Sequence, residues 1–322
     1  MSSDRDNVSG FGLGIDAGGT ETRWALAAPG GAILADGVVA GLSALQMATS
    51  DGRAAVRASL EELAAAVLAH ASPLRIQAGL TGFGGDDELL QAWLAQLLGV
   101  APSAVTLSND IELAYRANFV PGAGYLVYAG TGSIGAYIDA DHVFHRAGGR
   151  GVLLDDGGGG FWIAREALRH IWRNEDEQPG CWRDSPLAQA VFEHIGGADW
   201  NVSRQFIYHG ERGAIGKLAL AVAASAERDP AAATILSEAG LELARLALAL
   251  TRRFGPRPVV LAGRASELHP LIIETMRAAL PAGLELTQTG LRAHHGAARL
   301  ALQPAATPPA RATNKNINEE SP

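Results

Sequence analysis

Asp16 and Asp110 are the carboxylates of this chain best placed to do chemistry. Each follows a short apolar run, Gly12-Leu13-Gly14-Ile15 for the first and Val105-Thr106-Leu107 with Ser108-Asn109 for the second. The carboxyl edge of a sheet is where ligands collect. A carboxylate there can take a proton from a hydroxyl or hold Mg²⁺, here through water. Asp16 is the candidate for the metal and Asp110 for the base, although capping the helix that follows is an equally ordinary use of Asp110. Ala17-Gly18-Gly19-Thr20-Glu21-Thr22 comes next, and a similar turn, Ala129-Gly130-Thr131-Gly132-Ser133, follows a later apolar run. Turns without Cβ atoms let backbone N–H groups approach an anion closely. Gly18, Gly19, Gly130 and Gly132 would supply that approach, and Thr20, Thr22, Thr131 and Ser133 would add hydroxyls. A plain hairpin capped by Asp16 explains the first turn by itself; two such turns in one chain favour phosphate.

These residues need a scaffold, and the chain writes it twice, at 12–40 and 124–149: strand, glycine turn, strand, tight turn, strand. Alternation predicts strands at 12–17, 22–28 and 32–39. A helix from Asp51, its expected cap, to about 70 comes next, then a strand at 76–80, a helix at 86–98, a strand at 105–107 and a helical 112–117. After the restart at 124, helices are expected at 161–173, 186–195, 214–227 and 231–254. A strand at 258–261, a helix at 266–280, a strand at 284–287 and a helix at 293–302 complete the pattern. The first glycine turn opens a strand and not a helix, and no G-x-x-x-x-G-K-[ST] occurs, so the dinucleotide and P-loop motifs are excluded. Meander, helix, strand, helix, strand is the order of a ribonuclease-H-like fold. The expectation is α/β: two ribonuclease-H-like domains, 10–118 and 119–302, closing as a clamp on one nucleotide. Unstructured tails at 1–9 and 303–322 flank them, and the last helix packs back on the first domain.

A net charge of −8 argues against a nucleic-acid partner. No apolar run reaches a membrane span, and the N-terminus lacks a signal-peptide layout, so the chain is expected to stay in the cytoplasm. Cys181, the single cysteine, can form neither an internal disulfide nor a thiolate metal site alone. His142 with His145, and His294 with His295, show no partner carboxylate at metal spacing. Asp155-Asp156-Gly157-Gly158-Gly159-Gly160 is a further unusual run, either flexible or pressed against a ligand. There Asp156 could bond sugar hydroxyls, with Gly149-Arg150-Gly151 as the opposite wall.

Taken together, these residues resemble the sugar-kinase, actin and Hsp70 superfamily, in the branch of N-acetylglucosamine kinase, glucosamine kinase and the BadF/BadG/BcrA/BcrD ATPases. Asp16 to Thr22 resembles the branch's D-G-G-G-T-x-T, Ala129 to Ser133 its second phosphate motif, and Ser108-Asn109-Asp110 the segment carrying its base. Ala147 to Arg150 and Asp156 to Ile163 resemble its sugar-binding stretch, while Ala262-Gly263, and more loosely Gly216, resemble its adenosine site. The resemblance implies ATP and Mg²⁺ as cofactors. It implies transfer of the γ-phosphate to a hydroxyl, O6, of N-acetylglucosamine or glucosamine, with Asp110 as base. Gly82, Asn109, Asp110, Gly149, Arg150 and Asp156 would face the sugar, and a homodimer is implied by analogy. Departures are Gly157 for the usual Glu or Gln, Gly159 for Ser, Asp155 for Gly or Ser, Leu45 where a sugar-contacting Asn is common, and Arg264 for a small residue. They keep three alternatives open: a BadF-type ATPase, for which one cysteine is few; a sensor without catalysis; and a kinase for another sugar, such as a muramic acid derivative.

Overall fold

The computed structural model describes residues 10–303 except Thr20, Gly85, Asp86 and Leu291. The expected tails lie outside the described residues, apart from Gln303, whose carbonyl accepts a hydrogen bond from Arg75.

Two five-stranded mixed sheets share one topology. In the first, β1 (Phe11–Ala17), β2 (Glu21–Ala27) and β3 (Ile33–Ala40) form an antiparallel meander. β4 (Pro73–Leu80) pairs parallel with β1, and β5 (Val105–Asn109) with β4. In the second, β6 (Tyr125–Ala129), β7 (Ser133–Ile138) and β8 (Phe144–Gly148) repeat the meander. β9 (Val259–Ala262) and β10 (Leu286–Thr289) then add in parallel. The orders β3-β2-β1-β4-β5 and β8-β7-β6-β9-β10 correspond strand for strand, so the repeat written in the sequence is also a repeat of the backbone.

Period-two alternation decides what each strand presents. Leu13, Ile15 and Ala17 of β1 and Trp24 and Leu26 of β2 are buried with Leu60 and Leu63 of α1 (Ser50–Leu68) and Leu90 and Leu94 of α2 (Glu88–Leu98). Thr49 caps α1, its hydroxyl accepting the Gly52 N–H, while Asp51, the expected cap, falls in the first turn. α3 (Asp110–Arg116) follows β5, and its Tyr115 hydroxyl lies 3.0 Å from the Gly124 carbonyl and 3.2 Å from that of Ile138, joining it to the second sheet.

The second core is largely helical: α4 (Gly160–Glu177), α5 (Pro186–Ile195), α6 (Trp200–His209), α7 (Arg212–Lys217), α8 (Ala219–Ser225), α9 (Pro230–Phe254) and α10 (Pro270–Ala279). Buried Leu236, Leu243, Leu246 and Leu250 of α9 form its spine. The segment expected as one helix over 214–227 is instead α7 and α8, meeting at Leu218. The sequence reading also left out α6. The helix expected over 266–280 is a 3₁₀ turn (Arg264–Glu267) followed by α10, because Pro270 has no N–H to continue a helix and His269 caps the new one.

α11 (Ala293–Leu300) crosses back onto the first sheet, lying on β1 and β2. The opposite face of β1 makes this possible. A Cβ at Gly14 would sit 2.1 Å from the His294 carbonyl oxygen and 2.3 Å from the Ala298 nitrogen. Gly14→Ala must therefore push two backbones apart. It is expected to destabilise by about 2–4 kcal/mol and lower Tm by roughly 5–10 °C. Thermal unfolding beside Gly19→Ala, whose Cβ would meet nothing within 4 Å, checks this; equal Tm values for the two variants would refute it. Among the described residues no helix is long and apolar enough to cross a membrane.

Candidate active site

β5 ends at Asn109, and helix α3 begins at once. Asn109, not Asp110, caps it: the Asn109 Oδ1 accepts the Glu112 N–H at 2.7 Å. Asp110 is thereby released from the capping role the sequence left open. Its Oδ1 accepts the Ile111 N–H at 2.9 Å, and its Oδ2 accepts the Thr81 hydroxyl at 2.6 Å. Thr81 sits just past β4, where its N–H donates to the Ala17 carbonyl and its own carbonyl accepts from the Ser43 hydroxyl and the Ala44 N–H. One residue thus ties the end of β1, the Ser43 turn and the carboxylate together. Sequence reasoning took only Gly82 from this segment; a hydroxyl residue at the end of the neighbouring parallel strand was the available signal.

Asp16 is the last residue but one of β1, paired in register with Arg23 on β2 and with Gly79 on β4. Burial, with the Asp110 carboxylate adding to it, pushes its pKa up to about 6, against a smaller pull from Arg23 and Arg264. Tyr128 approaches the same carboxylates from the end of β6. Burial, then Asp16 and Asp110, raise its phenol to about 12, so it remains a hydroxyl at neutral pH. This tyrosine was missed because it sits inside an apolar run that reads only as a strand. Arg264 reaches over from the second domain, 3.9 Å from the Glu21 carboxylate and largely exposed. A phenol and a guanidinium from the second domain thus stand near enough for their charges and those of the two first-domain carboxylates to act on one another.

Both glycine turns close on themselves. The Gly18 N–H donates to the Glu21 carbonyl, and the Gly130 N–H to that of Gly132. These two glycines contribute close approach, not free donors. Gly19 lies open and Thr131 is exposed, whereas Thr20 lies outside the described residues. Two hydroxyls depart from expectation. Thr22 shares the inward face of β2 with Trp24 and Leu26, is fully buried, and its Oγ1 has no hydrogen-bond partner among the described residues. Ser133 is buried too, its Oγ donating to the Gly157 carbonyl at 2.6 Å. The period of two and the packing of the next loop, respectively, turn these hydroxyls away from the turn surface.

From Asp156 to Gly160 the run is buried and packed against the protein, with Asp155 partly exposed at its start. Gly159 lies on Gly132, where a Cβ would come within 2.6 Å of backbone carbon. The Gly160 and Phe161 N–H groups at the start of α4 donate to the Gly130 and Thr131 carbonyls, so the positive end of that helix dipole abuts the second turn. Gly216 of α7 packs beside Thr131 and Gly160, and Gly263, at φ +99, stacks on Ala129. Both adenosine-site candidates therefore border the second turn. Asp155 pairs with Arg245 of α9. Asp156, the candidate for sugar hydroxyls, has its carboxylate engaged within the loop. It is 8% exposed at φ +56, its Oδ1 accepts the Gly151 N–H, and the carboxylate lies over Gly132. It organises the loop from inside. Gly82 and Arg150 are exposed, Asn109 and Gly149 partly so. The histidine pairs also find carboxylates that spacing could not show: His145 meets Asp139, and His295 meets Asp36, each at 2.7 Å.

Several known proteins are similar to this chain. A Dictyostelium discoideum N-acetyl-D-glucosamine kinase is 31% identical over 93 residues, 29% of this chain and 29% of that protein. The structure of a candidate N-acetylglucosamine kinase from Chromobacterium violaceum shares 26% identity and a TM-score of 0.66, over 91% of this chain and 99% of that one. Another candidate of that name, from Porphyromonas gingivalis, is 16% identical with a TM-score of 0.72 over 90% and 98% of the two chains, a likeness of fold alone. The sequence pattern of the BadF/BadG/BcrA/BcrD ATPase family matches residues 13–280, and the chain belongs to that family.

Proposed function

We propose that this protein is an ATP-dependent amino-sugar kinase that moves the γ-phosphate to a hydroxyl, O6, of N-acetylglucosamine or glucosamine. The observation that carries the reading is Asp110: relieved of capping by Asn109 and oriented by the Thr81 hydroxyl, at the strand edge where Asp16, Tyr128 and Arg264 converge. The names of the Dictyostelium and Chromobacterium relatives supply the sugar. As the sugar oxygen attacks the γ-phosphorus, its proton passes to Asp110, and the bond to the β-phosphate breaks to release ADP. The glycine turns and the start of α4 surround the phosphates, with Gly216 and Gly263 toward the adenosine. Asp16 suits Mg²⁺: a buried hard-oxygen donor whose charge is disfavoured beside Asp110 until a cation offsets it. When bound, that ion would neutralise phosphate charge.

On the sugar side, Gly82, Gly149 and Arg150 would form the walls, and the Asn109 amide keeps its N–H₂ free of the capping bond. The protein would act in the cytoplasm, as a homodimer by analogy with relatives.

A coupled assay for ADP over a panel of hexoses and hexosamines tests the reading. ADP released only with N-acetylglucosamine or glucosamine supports it. ADP released equally without sugar favours the BadF-type ATPase, and ligand binding without ADP favours a sensor. Thr81→Val removes the hydroxyl that orients Asp110 while keeping its shape. It is expected to lower kcat about 10–100-fold with KM within a few-fold, since a bond to a charged group contributes about 1.5–3 kcal/mol. An unchanged kcat would remove Thr81 from the machinery.

A further inference from the structure

Outside the cleft, one group of three side chains among the described residues has ligating atoms that all lie within 4.8 Å of one another: Asp36, His294 and His295. Asp36 stands on edge strand β3, paired with Ala25 on the face that α11 covers. The two histidines occupy the first turn of α11. The His295 Nε2 lies 2.7 Å from the Asp36 Oδ2, and the two imidazoles meet edge to face with centroids 4.5 Å apart. His294 is 5% exposed, and its Nδ1, fully removed from solvent, has no hydrogen-bond partner among the described residues. An unpartnered ring nitrogen in a buried position costs free energy that an ion pair between its neighbours does not recover. Packing alone would be served better by an apolar residue.

The geometry points to a divalent transition-metal site of the zinc class formed by Asp36, His294 and His295. Two imidazoles and one carboxylate are the donors that Zn²⁺ takes in three-ligand sites, with water at the open position. Imidazole nitrogen also favours this part of the periodic table over Mg²⁺ or Ca²⁺. Arg292 lies 3.3 Å from the same Asp36 oxygen, but it is two-thirds exposed and free to swing into solvent, leaving the carboxylate to the ion. Arg23 is the other cation facing the cluster, and it already serves Glu21. The ion would fasten α11 to the edge of the first sheet. Because α11 follows the last strand of the second domain, the same clasp would hold the return crossover between the two domains in place.

The test uses the full-length, tag-free protein, stripped with a chelator and reloaded with Zn²⁺ alone. Metal analysis after gel filtration is expected to find one zinc per chain, with a Tm rise of roughly 5 °C. Asp36→Asn, at a position open to solvent, and His295→Asn should each lose the bound zinc and the rise. Asp16→Asn should keep both, separating this site from the cleft. Co²⁺ in place of Zn²⁺ should give visible absorption that the Asp36→Asn variant lacks. Absence of retained zinc in the wild type, or undiminished zinc in a double variant at Asp36 and His295, overturns the proposal.

Discussion

Asp110→Asn is expected to cut kcat by about 10²–10⁴-fold, the usual contribution of a general base, while sugar affinity stays within a few-fold. Asparagine keeps the shape: its one carbonyl oxygen can still accept from the Ile111 N–H, while its N–H₂ takes the other position and donates to the Thr81 hydroxyl, which must turn to accept. It cannot take up the proton released as the sugar oxygen attacks. Because Asn109 already caps α3, the helix should remain intact and Tm should change little. Steady-state turnover measured with equilibrium sugar binding makes the test. Near-normal turnover would remove Asp110 as the base, and a large loss of binding would move it into sugar recognition.

Asp16→Asn is expected to produce opposite changes in activity and stability. Turnover should fall at least about 10²-fold, because the phosphates would lose the cation held there. In chelator, without nucleotide, the variant should be more stable than the wild type at pH 7. The sign follows from linkage. The folded-state pKa of about 6 lies above the 3.8 usual for an aspartate in the open chain, so the folded protein binds more protons between those values, and its stability falls as pH rises through that window. Above pH 6 the whole penalty is present. Asparagine carries no such penalty and should recover about 1–3 kcal/mol, a few degrees of Tm, with the advantage fading below pH 4. Unfolding series at pH 4, 5, 6 and 7 read this directly. A wild type as stable as the variant at pH 7 would show that Asp16 carries its charge without cost. A functional carboxylate kept at the expense of stability is what a cation site demands.

Much of the scaffold was legible because it rests on local rules. Alternation in 12–40 and again in 124–149 marked both meanders, and the strand that follows each glycine turn excluded the motifs in which such a turn opens a helix. The boundaries moved where neighbours intervened. Thr49 captured the cap expected of Asp51, and Pro270 divided one expected helix. Within the site, residue type identified Asp16 and Asp110 but not the direction of nearby hydroxyls. Thr22 and Ser133 carry the right group on the wrong side, since strand phase and the loop from Asp155 to Gly160 decide where an oxygen points.

The sequence by itself determined the duplicated strand order, the two glycine turns and the identity of the carboxylates, all set by residue type and spacing within about ten neighbours. Only the tertiary structure decided the partners: Thr81 on Asp110, Tyr128 and Arg264 on Asp16, Asp156 folded under Gly132, and Asp36 beside His294 and His295. Those contacts join residues far apart in the chain. Burial and opposed charge act through distances that only packing two sheets and one returning helix can set.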